Sequence, residues 1–248
     1  MSSSVQRALH ILVELSGGPI TISEVGRRLN VHRTTSMRLL RTLEEEQFVR
    51  RTDDGSYRIG PRMVTLAHAA LESLDVRAVA GTHLRTLGAA CGHTVHLAGL
   101  EGDQVMYLDK VESRHAVRMY SRIGAHAPLH ATGVGKAILA AMPEQQRTHL
   151  LGAEPYGRYT PNTHTTRSEL DVELTEAAKR GWALDDFEHE EFIHCVAAPI
   201  READGRVSAA VSVSAPGVVL DRAGLLALVD DLTITATQIS EELGWSSQ

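Results

Sequence analysis

Residues 33–60 read RTTSMRLLRTLEEEQFVRRTDDGSYRIG, and this stretch decides the fold of the first part of the chain. At about 100° per residue, one helix face collects the side chains expected in a core, which are Ser36, Leu39, Leu40 and Leu43. Two short β-like runs, FVRRT and SYRIG, then flank Asp53-Asp54-Gly55, a turn sequence typical of a hairpin. The stretch predicts a helix followed by a two-stranded hairpin.

Two shorter helices are predicted upstream of this one. Apolar residues recur at helical spacing from Val5 to Leu15, and Gly17-Gly18 ends that helix. Thr21-Ile22-Ser23-Glu24 matches a capping box and opens a second helix that runs through Leu29. Helix, short helix, turn, helix and hairpin together are typical of a winged helix-turn-helix, which we place at residues 1–60.

The opposite face of the third helix is basic and rich in hydroxyls. Between Ile20 and Arg62, nine arginines stand against six carboxylates, although the whole chain has a net charge of −6. Such a face suits a helix that enters the DNA major groove, and we expect Thr34, Thr35 and Arg38 to face base edges. The residues expected at the DNA backbone are Arg33, Arg41, Arg50, Arg51 and Arg58. A solvated surface is the alternative interpretation for both the helix and the hairpin arginines.

The composition is that of a globular protein. The chain has 248 residues, of which 43% are hydrophobic and 4% aromatic, and no apolar run approaches the roughly 20 residues of a membrane span. The first residues do not resemble a secretory signal, so we expect a cytoplasmic protein with no membrane partner. Its two cysteines, Cys91 and Cys195, are then expected to be reduced thiols, and they exclude a zinc site of the CxxC type.

The rest of the chain predicts an α+β domain at residues 76–248, joined to the first domain by a linker helix at residues 61–75. Strand-like patterns cover TVHLAGL, QVMYLDKVE, HAVRMYS, WALDDFE, HCVAAPIRE and RVSAAVSVSAP. Helical patterns fall at 143–151 and 166–180. We expect Asp221 to cap one long final helix that continues through Leu243.

Residues 128–140, PLHATGVGKAILA, carry glycines and a lysine but no phosphate-binding loop. Ala137 follows Gly135-Lys136 where such a loop needs a hydroxyl, and His130 stands where it needs a glycine. The stretch still predicts a helix N-terminus capped by Thr132, which would favour a small anion. A tight turn with glycines for packing is the alternative.

PLHATGVGKAILA and CVAAPIREADGRVSAAVSVSAP, together with RLLRTLEEEQFVRR and the hairpin, resemble the IclR family of bacterial transcriptional regulators over nearly the whole chain. The resemblance implies a winged helix-turn-helix, a linker helix and a GAF-like effector domain, with no cofactor. It also implies a double-stranded DNA operator, dimers that often pair into tetramers, and an effector that is a small organic acid or an aromatic compound. The effector positions implied by the resemblance are Gly133, Gly135, Asp185, Glu191, Cys195, Ser212 and Ser214. A slip of one residue would exchange Asp185 for Asp186.

The last strand agrees with a ligand site. We expect one face to carry Ser208, Ala210, Ser212 and Ser214, and the other to carry Val207, Ala209, Val211 and Val213. Small hydroxyl side chains leave space and hydrogen bonds for a ligand, although close packing against a helix would use the same residues. We expect Cys195 to line the pocket rather than to act as a nucleophile.

We therefore predict a ligand-responsive transcription regulator rather than an enzyme, and specifically a repressor that senses a small carboxylate, a sugar acid or an aromatic acid. One alternative is a winged-helix protein whose second domain only mediates assembly. Another is a metal-binding sensor, because the chain has 13 histidines. The spacing of His189 and His194 misses the i, i+4 pattern of a helical zinc motif, and His93 and His96 would face opposite sides of a strand.

Overall fold

The computed structural model describes residues 4–72, 75–115, 119 and 121–246. The chain divides into two compact units, with the boundary between residues 73 and 74. None of the helices within the described residues is long and apolar enough to cross a membrane.

The first unit is a helical domain with a small hairpin, as predicted. Its elements are α1 (Ser4–Leu15), α2 (Ile22–Leu29), α3 (Arg33–Glu45), β1 (Val49–Arg51), β2 (Tyr57–Ile59) and α4 (Pro61–Glu72). The capping box at the start of α2 is confirmed, because the Thr21 side chain accepts from the Glu24 N–H and the Glu24 carboxylate accepts from the Thr21 N–H. β1 and β2 pair in antiparallel fashion, with Val49 opposite Ile59.

One hydrophobic cluster holds this unit together. Its buried members are Ile11, Leu15, Ile20, Val25, Leu39, Leu40, Leu43, Val49 and Tyr57. The predicted core face of α3 is therefore confirmed, and Ser36 is buried beside it. Because the core fixes which side of α3 points inward, it also fixes which side faces solvent.

A helix, α4, is observed over most of the range 61–75 that was predicted for a linker helix; residues 73 and 74 lie outside the described residues, and Asp75 already begins α5. Gly60-Pro61 separates the hairpin from α4. A Cβ at Gly60 would lie 2.3 Å from the Gln47 carbonyl oxygen, so only glycine fits at this close approach of two backbones.

The second unit is an antiparallel sheet with helices on both faces. Its elements are α5 (Asp75–Cys91), β3 (Thr94–Glu101), β4 (Gln104–Val111), β5 (His126–Ala127), α6 (Gly133–Ala140), α7 (Glu144–Leu151), α8 (Arg167–Arg180), β6 (Ala183–Glu190), β7 (Ile193–Arg201), β8 (Val207–Pro216), α9 (Arg222–Leu226) and α10 (Val229–Glu242). The strand order is β5-β4-β3-β8-β7-β6. The main core lies between the sheet, α5 and α10, and a second core lies under α6 and α8.

Two predictions for this unit are wrong. The final helix is broken in two, because the Leu228 N–H bonds to Leu225 three residues back and so interrupts the α-helical ladder after α9. Val207 does not share the face of Ala209, because a β-bulge at Ile200/Arg201 shifts the register and packs Val207 beside Ala210. The expected alternation holds only from Ala209 onward. The predicted strand at residues 115–121 falls mostly outside the described residues, and its described residues are not in a strand.

Candidate functional site

The exposed face of α3 presents the predicted polar side chains to solvent. Thr34, Arg38 and Arg41 are exposed, whereas Thr35 is half-buried at the edge of this face. Arg41 Nε lies 3.0 Å from Glu45 Oε1 in an exposed ion pair, which contributes little energy and so leaves Arg41 available to another anion. Within the described part of the chain, the Arg38 side chain has no hydrogen bond or ion pair.

The N-terminus of α3 is held by a residue that the sequence analysis missed. His32 is the N-cap, and its Nδ1 lies 3.4 Å from the Thr34 N–H and 2.9 Å from Thr34 Oγ1. Arg33 Nη1 lies 3.4 Å from Ser23 Oγ on α2. Histidine is not among the usual capping residues, so residue preference gave no signal for it. These contacts orient the first turn of α3, which carries three of the predicted DNA-binding residues, Arg33, Thr34 and Thr35.

The hairpin gathers positive charge next to α3. Arg50 and Arg58 lie directly opposite each other across the strand pair, and both are exposed, as is Arg51. Like charges in such a pair repel, so this arrangement favours an external anion. The turn is fixed by Asp54, whose carboxylate accepts from Thr52 Oγ1 at 2.6 Å and from Ser56 Oγ at 2.7 Å. These bonds lower the pKa of Asp54 to about 2.

A cavity of about 100 Å³ lies in the second unit, where the N-terminus of α6 meets the sheet. Five of the seven predicted effector residues line it, namely Gly133, Asp185, Cys195, Ser212 and Ser214. They come from α6, β6, β7 and β8, which are separate in sequence. Thr132 caps α6 as predicted, with Oγ1 accepting from the Gly135 N–H at 3.1 Å, so the capped end of the helix faces the cavity.

Close packing explains why position 133 is a glycine. A Cβ at this position would lie 2.6 Å from Cys195 Sγ, so glycine lets the helix end approach β7 closely. Gly135 does not line the cavity, and its absent Cβ makes room for the Leu129 backbone instead, with 2.5 Å to the Leu129 carbonyl oxygen. The two glycines of the motif therefore serve different contacts.

Glu191 is likewise not brought to the cavity. Glu190 pairs with Ile193, so Glu191 and Phe192 form the exposed two-residue turn between β6 and β7. Glu190, one residue earlier, lines the cavity instead. The reason is an irregularity between Asp185 and Glu190, which changes the register that a simple strand pattern assumes.

Further lining residues were not predicted from the sequence. They are Tyr107, Met119, Ser121, Ala125, His126, Thr132, Val134, His189 and Ile193, with Glu190 as above. Tyr107 lies in a predicted strand, and the alternating pattern indicated that its side chain lies on one face of the sheet but not that this face lines a ligand cavity. The others reach the cavity from α6 and its cap, from β5, from the start of β7, from the β6 irregularity and from the loop residues Met119, Ser121 and Ala125.

Asp185 is a buried acid with fixed hydrogen bonds. Its Oδ1 accepts from the Glu188 N–H at 2.8 Å and from the His189 N–H at 3.4 Å, and Cys195 Sγ lies 3.9 Å from Oδ2. Burial raises the pKa of Asp185 from 3.8 to about 7; the Lys136 ammonium opposes the rise and the Glu188 carboxylate adds to it. Asp185 therefore titrates near neutral pH.

The lysine of the α6 motif is fully buried and forms an ion pair with Glu188 on β6. Glu173 Oε1 lies 4.0 Å from the same ammonium and also accepts a hydrogen bond from Arg180 Nη2 at 2.6 Å. The sequence predicted no role for Lys136, which served only in the comparison with a phosphate-binding loop. It joins α6, and with it the cavity, to β6 and α8.

Cys195, Tyr107 and the neighbouring His96 are uncharged near pH 7, because burial shifts their pKa values toward the neutral form. Burial is the largest cause that raises the pKa values of the Cys195 thiol and the Tyr107 hydroxyl. A thiol held neutral in this way is a poor nucleophile. His96, whose Nδ1 lies 3.5 Å from Ser214 Oγ, has its pKa lowered to about 3 by burial and by Lys110.

Among the described residues, no group of three or more His, Cys, Asp and Glu side chains is placed to hold a metal ion. In particular, the His93 and His115 rings stack with their centroids 4.9 Å apart. His194 stacks on Phe187 at 4.9 Å. These histidines pack against other rings.

The fold and these two surfaces define a class: a winged helix-turn-helix protein with a second, antiparallel-sheet domain that contains a small polar cavity. Comparison with known proteins agrees. Residues 68–241 match the model of the bacterial transcriptional regulator IclR C-terminal domain, and residues 4–57 match a MarR family model.

The relatives cover nearly the full length of the chain. It is 33% identical to the HTH-type transcriptional regulator XynR of Escherichia coli K12, over 98% of this chain and 97% of that protein. It is 30% identical to the HTH-type transcriptional repressor AllR of Klebsiella pneumoniae, over 100% and 92%. A solved IclR homologue of Microbacterium hydrocarbonoxydans, complexed with 4-hydroxybenzoate, matches with a TM-score of 0.83 and 27% identity over 97% and 99% of the two chains.

The chain belongs to the IclR family of bacterial transcriptional regulators. It is a DNA-binding regulator of transcription, and a small-molecule effector is expected for its second domain.

Proposed function

We propose that this chain is a repressor that binds double-stranded operator DNA through residues 1–60 and a small organic acid through residues 76–248. Residues 61–75 would join the two domains. The observation that carries the proposal is the cavity, which gathers polar side chains from four separate elements beside the capped end of α6. Repression is proposed by analogy with AllR, which is named a repressor.

On the DNA side, the exposed face of α3 would enter the major groove. Thr34, Thr35 and Arg38 would face base edges, because they lie in the first turns of the helix, away from the acids at its far end. The side chains proposed to contact the phosphate backbone are Arg33, Arg41, Arg50, Arg51 and Arg58. The absence of a partner for Arg38 among the described residues leaves its guanidinium available for a guanine.

On the effector side, a carboxylate fits the end of α6. Free backbone N–H groups and the helix dipole favour an anion at a helix N-terminus, and Gly133 lets a ligand approach closely. The hydroxyls of Ser212 and Ser214 would accept or donate to further oxygens of a hydroxy acid or sugar acid. Gly135 and Glu191 would contribute indirectly, through the shape of the motif and of the β6–β7 turn. The relative complexed with 4-hydroxybenzoate supports an acid as the chemical class.

The effector would act by differential affinity. A ligand changes DNA binding only if it binds the DNA-competent form and the incompetent form with different affinity. We propose that the segment at residues 61–75, which contains α4, carries this difference between the domains. Two copies, or two pairs of copies, would read a pseudo-palindromic operator, since one helix-turn-helix reads only a half-site.

We also propose that the chain acts in the cytoplasm, where bacterial DNA lies, with no membrane partner, and that it has no catalytic role or cofactor. The neutral thiol of Cys195 supports the absence of thiol catalysis, because a protonated thiol is a poor nucleophile.

The test is a DNA-binding titration of the full chain on a duplex selected from a random pool, with and without carboxylates. Ser214→Ala should retain DNA affinity but lose the response to the carboxylate. Ser208→Ala is the matched control, because Ser208 lies on the same strand outside the cavity and bonds Glu202 instead. If no carboxylate changes the DNA affinity, the result would favour a second domain that only mediates assembly.

A further inference from the structure

The two carboxylate oxygens of Asp185 have different surroundings. Oδ1 accepts the N–H groups of Glu188 and His189, whereas the one donor to Oδ2 among the described residues is the weak Cys195 Sγ–H at 3.9 Å. A proton on Oδ2 would therefore leave both backbone hydrogen bonds of Oδ1 intact. Because Asp185 lines the cavity, that proton is available for donation to a bound molecule.

The buried charges around Asp185 balance only when it is protonated. Lys136 is the buried cation next to it, and the ion pair with Glu188 already occupies this ammonium. Among the described residues, Asp185 has no ion pair of its own within 4.0 Å. An ionised Asp185 would thus leave one uncompensated negative charge, and an anion entering the cavity would add a second one beside it.

A second cation lies near the lining: the Lys110 ammonium donates to the Met119 and Ser121 carbonyls, but it already forms an ion pair with Glu112 at 2.9 Å. The other groups around the cavity are neutral, acidic or exposed. From β4 and β7, Tyr107 and Cys195 are neutral because burial raises their pKa values. From β6, His189 has its pKa lowered by burial, and Glu190 is another acid, with 42% of its side chain exposed. His126 of β5 is exposed to solvent. Among the lining groups, the carboxyl of Asp185 is the one that is both buried and without an ion-pair partner among the described residues, so it is the group assigned to change charge when an anion binds.

We propose that a carboxylate effector binds to protonated Asp185, which donates a hydrogen bond from Oδ2, so that binding takes up a proton from solvent wherever Asp185 is ionised in the free protein. This inference rests on the proposed function, because it assumes that the cavity is the effector site. In this proposal, protonation of Asp185 lets the cavity bind an anion although a carboxyl group lines it. It also makes the response of the regulator depend on pH.

The size of the effect follows from linkage. With a pKa of about 7 in the free protein, Asp185 is mostly protonated at pH 6 and mostly ionised at pH 8. The apparent affinity for a carboxylate should be about tenfold weaker at pH 8 than at pH 6. Binding should take up about 0.1 proton at pH 6 and about 0.9 proton at pH 8.

The experiment is isothermal titration calorimetry of the full chain with glycolate and with 4-hydroxybenzoate. Each titration is run at pH 6 and pH 8 in two buffers of different ionisation enthalpy, which gives the number of protons taken up. Both carboxyl groups are ionised throughout this range. Glycolamide, the neutral counterpart of glycolate, is the ligand control, and its affinity should not fall with pH.

Two variants test whether Asp185 is the group whose protonation causes the pH dependence. Asp185→Asn keeps an acceptor for the two N–H groups and supplies a permanent donor, so carboxylate affinity should become equal at pH 6 and pH 8 with no proton uptake. Asp186→Asn is the matched control, because Asp186 lies outside the cavity lining and bonds exposed Arg222 at 3.2 Å. It should keep the tenfold difference. Proton uptake by the unmodified chain provides a second readout that does not depend on the folding of either variant.

Equal affinity at the two pH values and no proton uptake by the unmodified chain would overturn the proposal but leave carboxylate sensing intact. A tenfold difference that persists in Asp185→Asn would also overturn it, because another group would then be the titrating one. If neither carboxylate binds at pH 6, both this inference and the proposed effector class fail.

Discussion

Replacement of Lys136 by methionine should destabilise the second unit strongly. The lysine is fully buried, and its removal takes the ammonium away from Glu188, whose side chain is 6% exposed, and leaves the His164 ring 3.7 Å from Glu188 Oε2. Breaking a buried ion pair by removing one partner costs about 3–5 kcal/mol, because the remaining charge stays buried and uncompensated. The double variant Lys136→Met/Glu188→Gln removes both charges, so it should recover most of this loss.

Urea unfolding followed by tryptophan fluorescence measures this cost. Both tryptophans, Trp182 and Trp245, belong to the second unit, so the signal reports that unit alone. Lys179→Met is the control, because the Lys179–Glu176 pair is exposed and should be worth less than about 1 kcal/mol. A Lys136→Met loss as small as that of Lys179→Met, or a double variant less stable than Lys136→Met, would refute the argument that Glu188 is left unpaired.

Three other predictions follow from the described contacts. Gly133→Ala should abolish the effector response, because the new Cβ would lie 2.6 Å from Cys195 Sγ; adding Cys195→Ala should restore part of the response, since the next neighbour is 3.3 Å away. Arg38→Ala should weaken binding to the selected duplex by about 1–3 kcal/mol if it reads a guanine, and equal weakening on random DNA in the same titration would identify only a phosphate contact. The pKa of Asp185 is higher in the folded than in the unfolded state. The contribution of this carboxyl to the free energy of unfolding is therefore present at low pH and is lost as the pH rises toward 7. In urea titrations, the free energy of unfolding of Asp185→Asn should rise by about 2–3 kcal/mol relative to that of the unmodified chain from pH 5 to pH 8. A difference between the two proteins that is the same at both pH values would contradict the raised pKa.

The first unit could be predicted from the sequence because its signals are local. Capping at Thr21, the core face of α3 and the Asp53-Asp54-Gly55 turn each depend on residues close together in the chain. The N-cap role of His32 was missed because it depends on the particular geometry of one turn rather than on residue preference.

The cavity could be predicted only in part, for a physical reason. A strand pattern assumes unbroken register, and the irregularity in β6 exchanges Glu190 for Glu191 at the cavity. The pair of Lys136 and Glu188 joins positions 52 residues apart, which no periodicity reveals. Gly133 and Gly135 are alike in sequence, and only the packing of Cys195 and Leu129 distinguishes them.

The most direct test of the account compares the affinity of the full chain for its selected duplex with and without a carboxylate, in the unmodified chain and in Ser214→Ala. The account predicts that the carboxylate lowers DNA affinity in the unmodified chain and leaves it unchanged in Ser214→Ala, with equal DNA affinity of the two proteins in the absence of ligand. A carboxylate that lowers DNA affinity equally in both proteins would contradict the placement of the effector in this cavity.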